Sequence, residues 1–473
     1  MIKRYFATKD NTITNAYSPS LGTPSVSASM GQSDILEVFS IYGQVSSSTG
    51  YSLEESRILI EFDLTEIETD IINNVVPSNA KYFLRLFNAE HGQTVPRNYT
   101  LETYSISGSW EEGLGVDMET YKDLTYGNGS SWVSSEGSTL WQTEGGDTWP
   151  TNVVNQLFNL GLEDLEMDVT DQVQDWLDGV HPNDGFMVKL LASQVAESRS
   201  YYTKKFFARG SQFFHKRPVL EVRWDSSKQD DRLNFYTSSS LAPAADNLNT
   251  LYLYNYHRGN LVDIPSVAQG EIYVDLYASL GDSALSLCVD TPATGGWVET
   301  GIYTASVCVN TTASTLYDVW HSGGVEFHTG SIETKSANAL TFPPENNLVI
   351  SVANKQDKYS NNQTSRFYFH IRNKNWSPNI YTVATSTPTT EVFDNLHFKI
   401  TKVVTQETIF DYDTTDLSTL LSYDAKGNYF DLDMSMLEPN YSYQIELSLY
   451  NVATKTQEQF SFKHKFRVVN NEY

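Results

Sequence analysis

The sequence predicts an all-β protein: an N-terminal jelly-roll β-sandwich with one short capping helix, followed by two further β-sandwich domains. Three observations predict it. Period-two alternation of apolar and polar residues recurs along the chain, clusters of Gly, Asn, Ser and Pro punctuate it at short and fairly regular spacing, and one stretch alone has confident helical periodicity. No repeat of roughly 20–50 residues is visible, which weighs against propellers and solenoids. The 473 residues, 40% hydrophobic and 13% aromatic, supply core for two to four domains of about 100–200 residues each.

Taken in chain order, "SRILIEFDL" (56–64) sets Ile58, Ile60, Phe62 and Leu64 on one strand face, with Arg57, Glu61 and Asp63 mainly on the other. "DVTDQVQDWLDG" (168–179) is the helix. Thr170 is the expected N-cap, Asp171 lies in the first turn, Val173, Trp176 and Leu177 form an apolar stripe, and Gly179 is placed to end it in the left-handed conformation. "RPVLEVRW" groups Leu220, Val222 and Trp224. "GEIYVDLYASL" groups Ile272, Val274, Leu276 and Ala278, and "EQFSFKHKFRVV" groups Phe460, Phe462, Phe466 and Val468. The polar run "DSSKQDDRLN" after Trp224 and the Thr/Ser/Pro-rich "VATSTPTTEV" (383–392) suggest domains at 1–225, 226–385 and 386–473, the last of immunoglobulin-like size.

Charge narrows the partners. Thirty-two Lys and Arg against 58 Asp and Glu give a formal charge of −26, which repels nucleic acid and anionic lipid alike. The start "MIKRYFATKDNTI" has no signal-peptide apolar run, and no stretch of about 18 apolar residues occurs. The chain is therefore expected neither to be exported by that route nor to span a membrane. Its two cysteines, Cys288 and Cys308, lie in strand-like segments of one sheet. They are expected as free thiols in a reducing cytosol, with a disulfide as the alternative.

An ordered set of segments carries a resemblance: "ATKDNTITNA" (7–16), "MGQSDILEV" (30–38), "SRILIEFDL" (56–64), "AKYFLRLF" (80–87), "YSISGSWEEG" (104–113), "DVTDQVQDWLDG" (168–179), "NDGFMVKL" (183–190) and "RPVLEVRW" (217–224). Together these resemble the DNRLRE, or disaggregatase-related, domain. The resemblance implies a single jelly roll whose helix crosses between sheets and caps them. The stretch 117–161 departs from the pattern as a long insertion rich in Gly, Ser and Trp. Members of the family occur as non-catalytic modules beside polysaccharide-degrading enzymes, some binding acidic glycans, and in structural proteins of tailed bacteriophages, particularly marine ones. The further β segments "GIYTASVCV", "LYDVWHSGG" and "LSYDAKGNYFDLDMSMLEPNYSYQIEL" also resemble virion proteins of marine phages. The implied role is a non-enzymatic virion component made in the bacterial cytoplasm, partnered by other virion proteins in multiple copies. Contact with a host-surface glycan is the alternative.

Candidate chemistry is sparse. "SWEEGLG" offers Trp110, Glu111 and Glu112 as a sugar platform with an acid, or as a turn whose Trp packs under the sandwich. His321 and His328 are seven apart, which matches no helical or zinc-finger spacing. "DYDTTD" and "DAKGNYFDLD" are oxygen-rich loops without the Gly and terminal Glu positions of an EF-hand; Asp411 and Asp413, with Asp10, are weak calcium candidates and no other cofactor is indicated. No nucleophile elbow, P-loop or dinucleotide fingerprint is present. For contact, Tyr252, Tyr254 and Tyr256 share a strand face opposite Leu251 and Leu253. Lys204, Lys205 and Arg209 belong to the one notable basic cluster, readable as a docking strip for an acidic partner subunit or an anionic polysaccharide, or as internal charge balance.

Overall fold

The computed structural model describes all residues except 17–28, 48–49, 93–94, 117–128, 196–200, 241, 244, 336–347, 375–389, 453 and 471–473. Strands dominate both of its compact units, Ile2–Trp224 and Asp225–Tyr473. Among the described residues the α-helices are Thr65–Ile72, Thr170–Leu177 and Ala192–Val195, and none is long and apolar enough to cross a membrane.

Ile2–Trp224 is a two-layered jelly roll. One antiparallel sheet runs Ile2–Phe6, Val219–Arg223, Lys81–Leu86, Leu165–Asp168. The other runs Tyr201–Phe207, Ile35–Ser47, Gly50–Glu61, Phe186–Leu190, Tyr99–Ser105, Val154–Phe158, and Lys9–Thr14 also pairs with Gly50–Glu61. Alternation decides what lies between them. Ile58, Ile60 and Phe62 from the larger sheet meet Leu84, Leu86, Leu220 and Val222 from the smaller, all fully buried. Each such side chain contributes roughly 1.5–3 kcal/mol.

The helix Thr170–Leu177 joins a strand of the smaller sheet to one of the larger, so the chain changes layers through it. Its N-cap lies one residue earlier than expected, at Val169, and Thr170 is the first helical residue. The reason is Asp168, whose Oδ1 accepts from both the backbone N–H (3.0 Å) and the hydroxyl (2.5 Å) of Thr170, while Thr170 Oγ1 accepts from Tyr82 N–H of the neighbouring strand. Gly179 ends the helix as expected, at φ +70°, a conformation that costs glycine nothing. Val173 and Trp176 point into the core, where Trp176 packs on Phe186 at 4.6 Å between ring centres.

The described part of the insertion is folded. Trp132 and Trp141 join Trp110, Ile13, Leu59, Ile106 and Met187 in a second apolar cluster on the outward face of the larger sheet. Arg57 clips this roof by stacking on Trp132 at 4.7 Å and donating to the carbonyl of Gly145 at 2.8 Å. At Gly146 the roof comes so close that a Cβ would lie 2.4 Å from Met187 Cε.

Asp225–Tyr473 contains a six-stranded antiparallel sheet, in the order Asn249–Tyr254, Ile302–Val307, Ala293–Glu299, Glu271–Tyr277, Thr315–Ser322, Val325–Glu333. It curls: residues 235–237 bridge its two edge strands through Asn249 and Lys335. Behind it lies a sandwich of two sheets. One runs Leu348–Val352, Thr364–Asn373, Gly427–Asp433, Ser422–Asp424; the other runs Lys358–Ser360, Thr456–Val469, Ser442–Asn451, Leu396–Lys402, Thr408–Phe410. Phe398 and Phe430 stack across it at 4.0 Å.

Two expectations are corrected here. The break at 385/386 does not separate domains, because Thr364–Asn373 pairs with Gly427–Asp433 and Lys358–Ser360 pairs in parallel with Thr456–Val469, so the sandwich already begins near Leu348. The Thr/Ser/Pro segment that suggested the break lies mostly outside the described residues and connects strands of one sandwich. Cys288 and Cys308 are joined by a disulfide with Cα atoms 5.2 Å apart, not free. The backbone sets this up: Cys288 N–H donates to Cys308 O, beside a bridge between Leu287 and Val309.

Candidate interaction surface

The tyrosine row divides into buried and exposed parts. Tyr252 and Tyr254 stand on the outward face of the six-stranded sheet, opposite buried Leu251 and Leu253, and stack at 6.3 Å. Tyr254 Oη reaches Tyr429 Oη of the C-terminal sandwich at 3.5 Å. Burial, together with the neighbouring Tyr429, drives the Tyr254 hydroxyl well above the usual phenol range, and burial raises Tyr252 as well. These two rings therefore cover a neighbouring part of the same unit. Tyr256 lies beyond a break at Asn255, in a separate hairpin with Asn260–Leu261, and is exposed.

The same junction is held by the segment before the first strand. Tyr423 donates its hydroxyl to Asp231 at 2.8 Å, Asp231 accepts from Thr250 N–H, and Arg232 pairs with the buried Asp318 at 2.5 Å. Burial pushes the Asp230 carboxyl up to about 7, against the pull of Arg232.

The basic cluster is not a strip. Lys204 points into the jelly roll and is only 2% exposed; Nζ donates to Asn88 Oδ1 (2.6 Å), Gly161 O (3.0 Å) and Glu163 O (2.7 Å) and lies over the rings of Phe158 and Phe206. Lys205 faces the other way and pairs with Glu37 at 3.4 Å. Arg209 grips Glu112 with two donors at 2.7 and 3.0 Å. Ion pairing accounts for Lys205 and Arg209, whereas Lys204, which alternation sends to the opposite face from Lys205, is held by uncharged acceptors.

Glu112 also explains "SWEEG". Trp110 is buried in the roof cluster over the larger sheet and donates to Asp184 O at 2.8 Å, so its ring is packed inside the roof and offers no platform to a sugar. Asp10, a calcium candidate, is buried beneath it and accepts the Arg209 backbone N–H. Burial pushes its carboxyl up to about 7, outweighing Arg209. Against burial, the Ser418 hydroxyl and the backbone N–H groups of Asp416, Thr415 and Ser418, all donating to Asp413, hold its carboxyl below the usual range, and Asp411 pairs with Lys399 at 3.0 Å. In "DAKGNYFDLD", Asp431 pairs with Arg366 at 2.8 Å and Asp424 accepts the Tyr368 hydroxyl. Among the described residues no group of three or more His, Cys, Asp or Glu gathers as metal ligands. His321 and His328 do not converge: His321 pairs with Asp275 at 3.0 Å, while His328 sits in register with Trp320.

Two features escaped sequence reasoning. One is an ionic cluster on the outward face of the smaller sheet, where Glu221, fully buried, binds Arg4 (2.7 Å), Arg85 (3.2 Å) and Arg223 (2.6 Å). Burial alone would raise Glu221; the three guanidinium groups overcome that and hold it far below the usual range. The other is an aromatic patch on the six-stranded sheet. Ile272, Val274 and Leu276 point inward, so Tyr273, Asp275 and Tyr277 point out, in register with His321, Val319 and Tyr317. Tyr273 and His321 stack at 6.0 Å, and Tyr273 Oη donates to Glu271 at the solvent-facing edge. The signal was available in "GEIYVDLY", whose second face carries these rings.

No family model matches the chain and no curated protein does. Matches among solved structures include the adhesin InvE of Yersinia pseudotuberculosis (11% identity, 49% of this chain and 56% of that chain, TM-score 0.16). The N-terminal Ig1-2 module of the Drosophila receptor protein tyrosine phosphatase DLAR matches at 11% identity over 48% of this chain and 91% of that chain, TM-score 0.16. Trypsin-activated alpha-2-macroglobulin from Escherichia coli matches at 9% identity over 83% of this chain and 22% of that chain, TM-score 0.17. The chain thus spans about half of the adhesin and a fifth of the macroglobulin. The strand orders given above, not these matches, define the fold.

Proposed function

We propose that this chain is a non-enzymatic structural component of a tailed bacteriophage virion, a head, neck or tail protein that acts through protein–protein interfaces and needs no cofactor. The reading rests on the resemblance of its N-terminal segments to the DNRLRE domain and on one structural observation: an outward row of Tyr273, Tyr277, Tyr317 and His321 on the six-stranded sheet. Rings held on a rigid sheet give contact area at small entropic cost, and subunits repeated by symmetry multiply it. The acids and cations that could have served chemistry are instead engaged in local structure, as at Asp10, Glu112, Arg209 and Asp413.

A second reading, a glycan-binding module, is favoured by the same outward-facing, half-buried rings, since sugars also stack on tyrosine. Mass spectrometry and electron microscopy of purified particles separate the two. Copies of the chain located in the particle are expected. A soluble monomer, absent from particles and retarded in an alginate gel, would reverse the choice. Tyr273→Ala with Tyr317→Ala is expected to leave the fold intact and lower incorporation into particles at least tenfold.

A further inference from the structure

The environment of Lys204 is unusual for a buried cation. Its three hydrogen-bond acceptors are the Asn88 side-chain amide and two backbone carbonyls, all uncharged, and the rings of Phe158 and Phe206 flank it. A lysine buried for stability alone is normally paired with a carboxylate. Here two carboxyl groups stand close without taking that place. Asp164 accepts the backbone N–H of Asn88 at 2.7 Å, and Glu163 has one oxygen on Leu160 N–H at 2.7 Å and the other, Oε2, buried with no partner. The backbone locks the pair in position, for Asn88 is bridged to Phe206, Ala89 N–H donates to Lys205 O and Phe207 N–H to Phe87 O.

From this geometry we infer that Lys204 and Asn88 form an intramolecular isopeptide bond, with Nζ attacking the Asn88 side-chain carbonyl carbon and the amide nitrogen leaving as ammonia. The balance is that of a transamidation: one ammonium and one carboxamide give one secondary amide and one ammonium ion. The C–N bond to the departing nitrogen breaks as the new one forms, nothing is oxidised or reduced, and no co-reactant is needed. The proton released by Lys204 passes to the departing nitrogen, with the unpartnered Glu163 oxygen as the relay and Asp164 as the positioning group for Asn88. Proximity supplies the rate, since a nucleophile fixed within hydrogen-bond distance of its target behaves as if at very high concentration. Burial also lowers the Lys204 ammonium to about 8, so the neutral amine is accessible near neutral pH.

The bond would tie the segment following Lys81–Leu86, in the smaller sheet, to Tyr201–Phe207 at the edge of the larger, residues 116 apart in sequence. It is independent of the proposed function. The test is the intact mass of the purified full-length chain after incubation at pH 8, followed by tryptic mapping. The expected result is a mass lower than the sequence by one ammonia, with peptide Leu86–Arg97 joined to Ser200–Lys205 through Lys204. Lys204→Arg and Asn88→Ala are each expected to restore the mass calculated from their sequence, and Glu163→Gln to slow the loss at least tenfold at unchanged secondary structure. A wild-type chain of full mass, or one that loses ammonia while those two peptides remain separate, overturns the inference.

Discussion

At the scale of single residues, burial converts ordinary acids into groups with opposite pH behaviour. Asp10 is raised to about 7 by burial, so its protonated form is the one the fold accommodates. That stabilisation is complete below about pH 4 and is lost as pH rises through about 7. Asp10→Asn keeps an acceptor for Arg209 N–H and cannot ionise. It is expected to be more stable than wild type at pH 8 by on the order of 2–4 kcal/mol, with the difference vanishing near pH 4, in paired urea titrations. Glu221 has the reverse sign. Its folded value is depressed, so its contribution is present above about pH 4 and lost only as pH falls through that depressed value. Glu221→Gln leaves three guanidinium groups without their common carboxylate, and is expected to cost about 3–5 kcal/mol at pH 7 in the unfolding of residues 2–224. Neither behaviour was legible in sequence. "RPVLEVRW" places Glu221 correctly on the outward face, but the arginines that bury it arrive from residues 4 and 85. In "YYTKKFF", alternation gives each face one lysine, and the acceptors that fix which one turns inward come from Asn88, Gly161 and Glu163.

At the scale of elements, period-two patterning placed inward residues such as Ile58, Ile60, Leu220, Val274 and Leu276, because a one-residue slip would expose a whole apolar face; Ala278, grouped with them, lies past the strand end at Tyr277 and is exposed. The helix was legible for the same kind of reason, its stripe and its Gly179 being local. What patterning could not supply was pairing between distant strands. The sandwich that begins near Leu348 joins Thr364–Asn373 to Gly427–Asp433, and no local signal announces that partnership. The disulfide belongs to this scale too. It closes a span of 20 residues and pins the exposed stretch before Pro292 to the strand end at Cys308. Cys288→Ser with Cys308→Ser, or reduction of the wild type, is expected to cost about 3 kcal/mol and to open a protease site between Ser279 and Asp290, checked by calorimetry and by mapping of the cuts.

For the whole molecule, the contact pattern divides the chain after Trp224 into two units with their own cores. Residues 1–224 and 225–473 expressed separately are therefore each expected to melt cooperatively, with near-native strand content by circular dichroism. A fragment beginning at residue 386 is expected not to fold, since it lacks two strands of one layer, Leu348–Val352 and Thr364–Asn373, and one strand of the other, Lys358–Ser360. The outward-facing tyrosines of the candidate interface were legible in principle, whereas the cover over Tyr254 was not, because Tyr429 lies 175 residues further along.

The tryptophan roof over the larger sheet has its own apolar seal, separate from the jelly-roll core. Segments built this way can drift, lengthen or be exchanged while the barrel beneath keeps its shape. Variation among descendants of this chain should therefore accumulate in the stretch around Trp132 and Trp141, with Arg57 and Met187 acting as the fixed sockets into which each new version must plug.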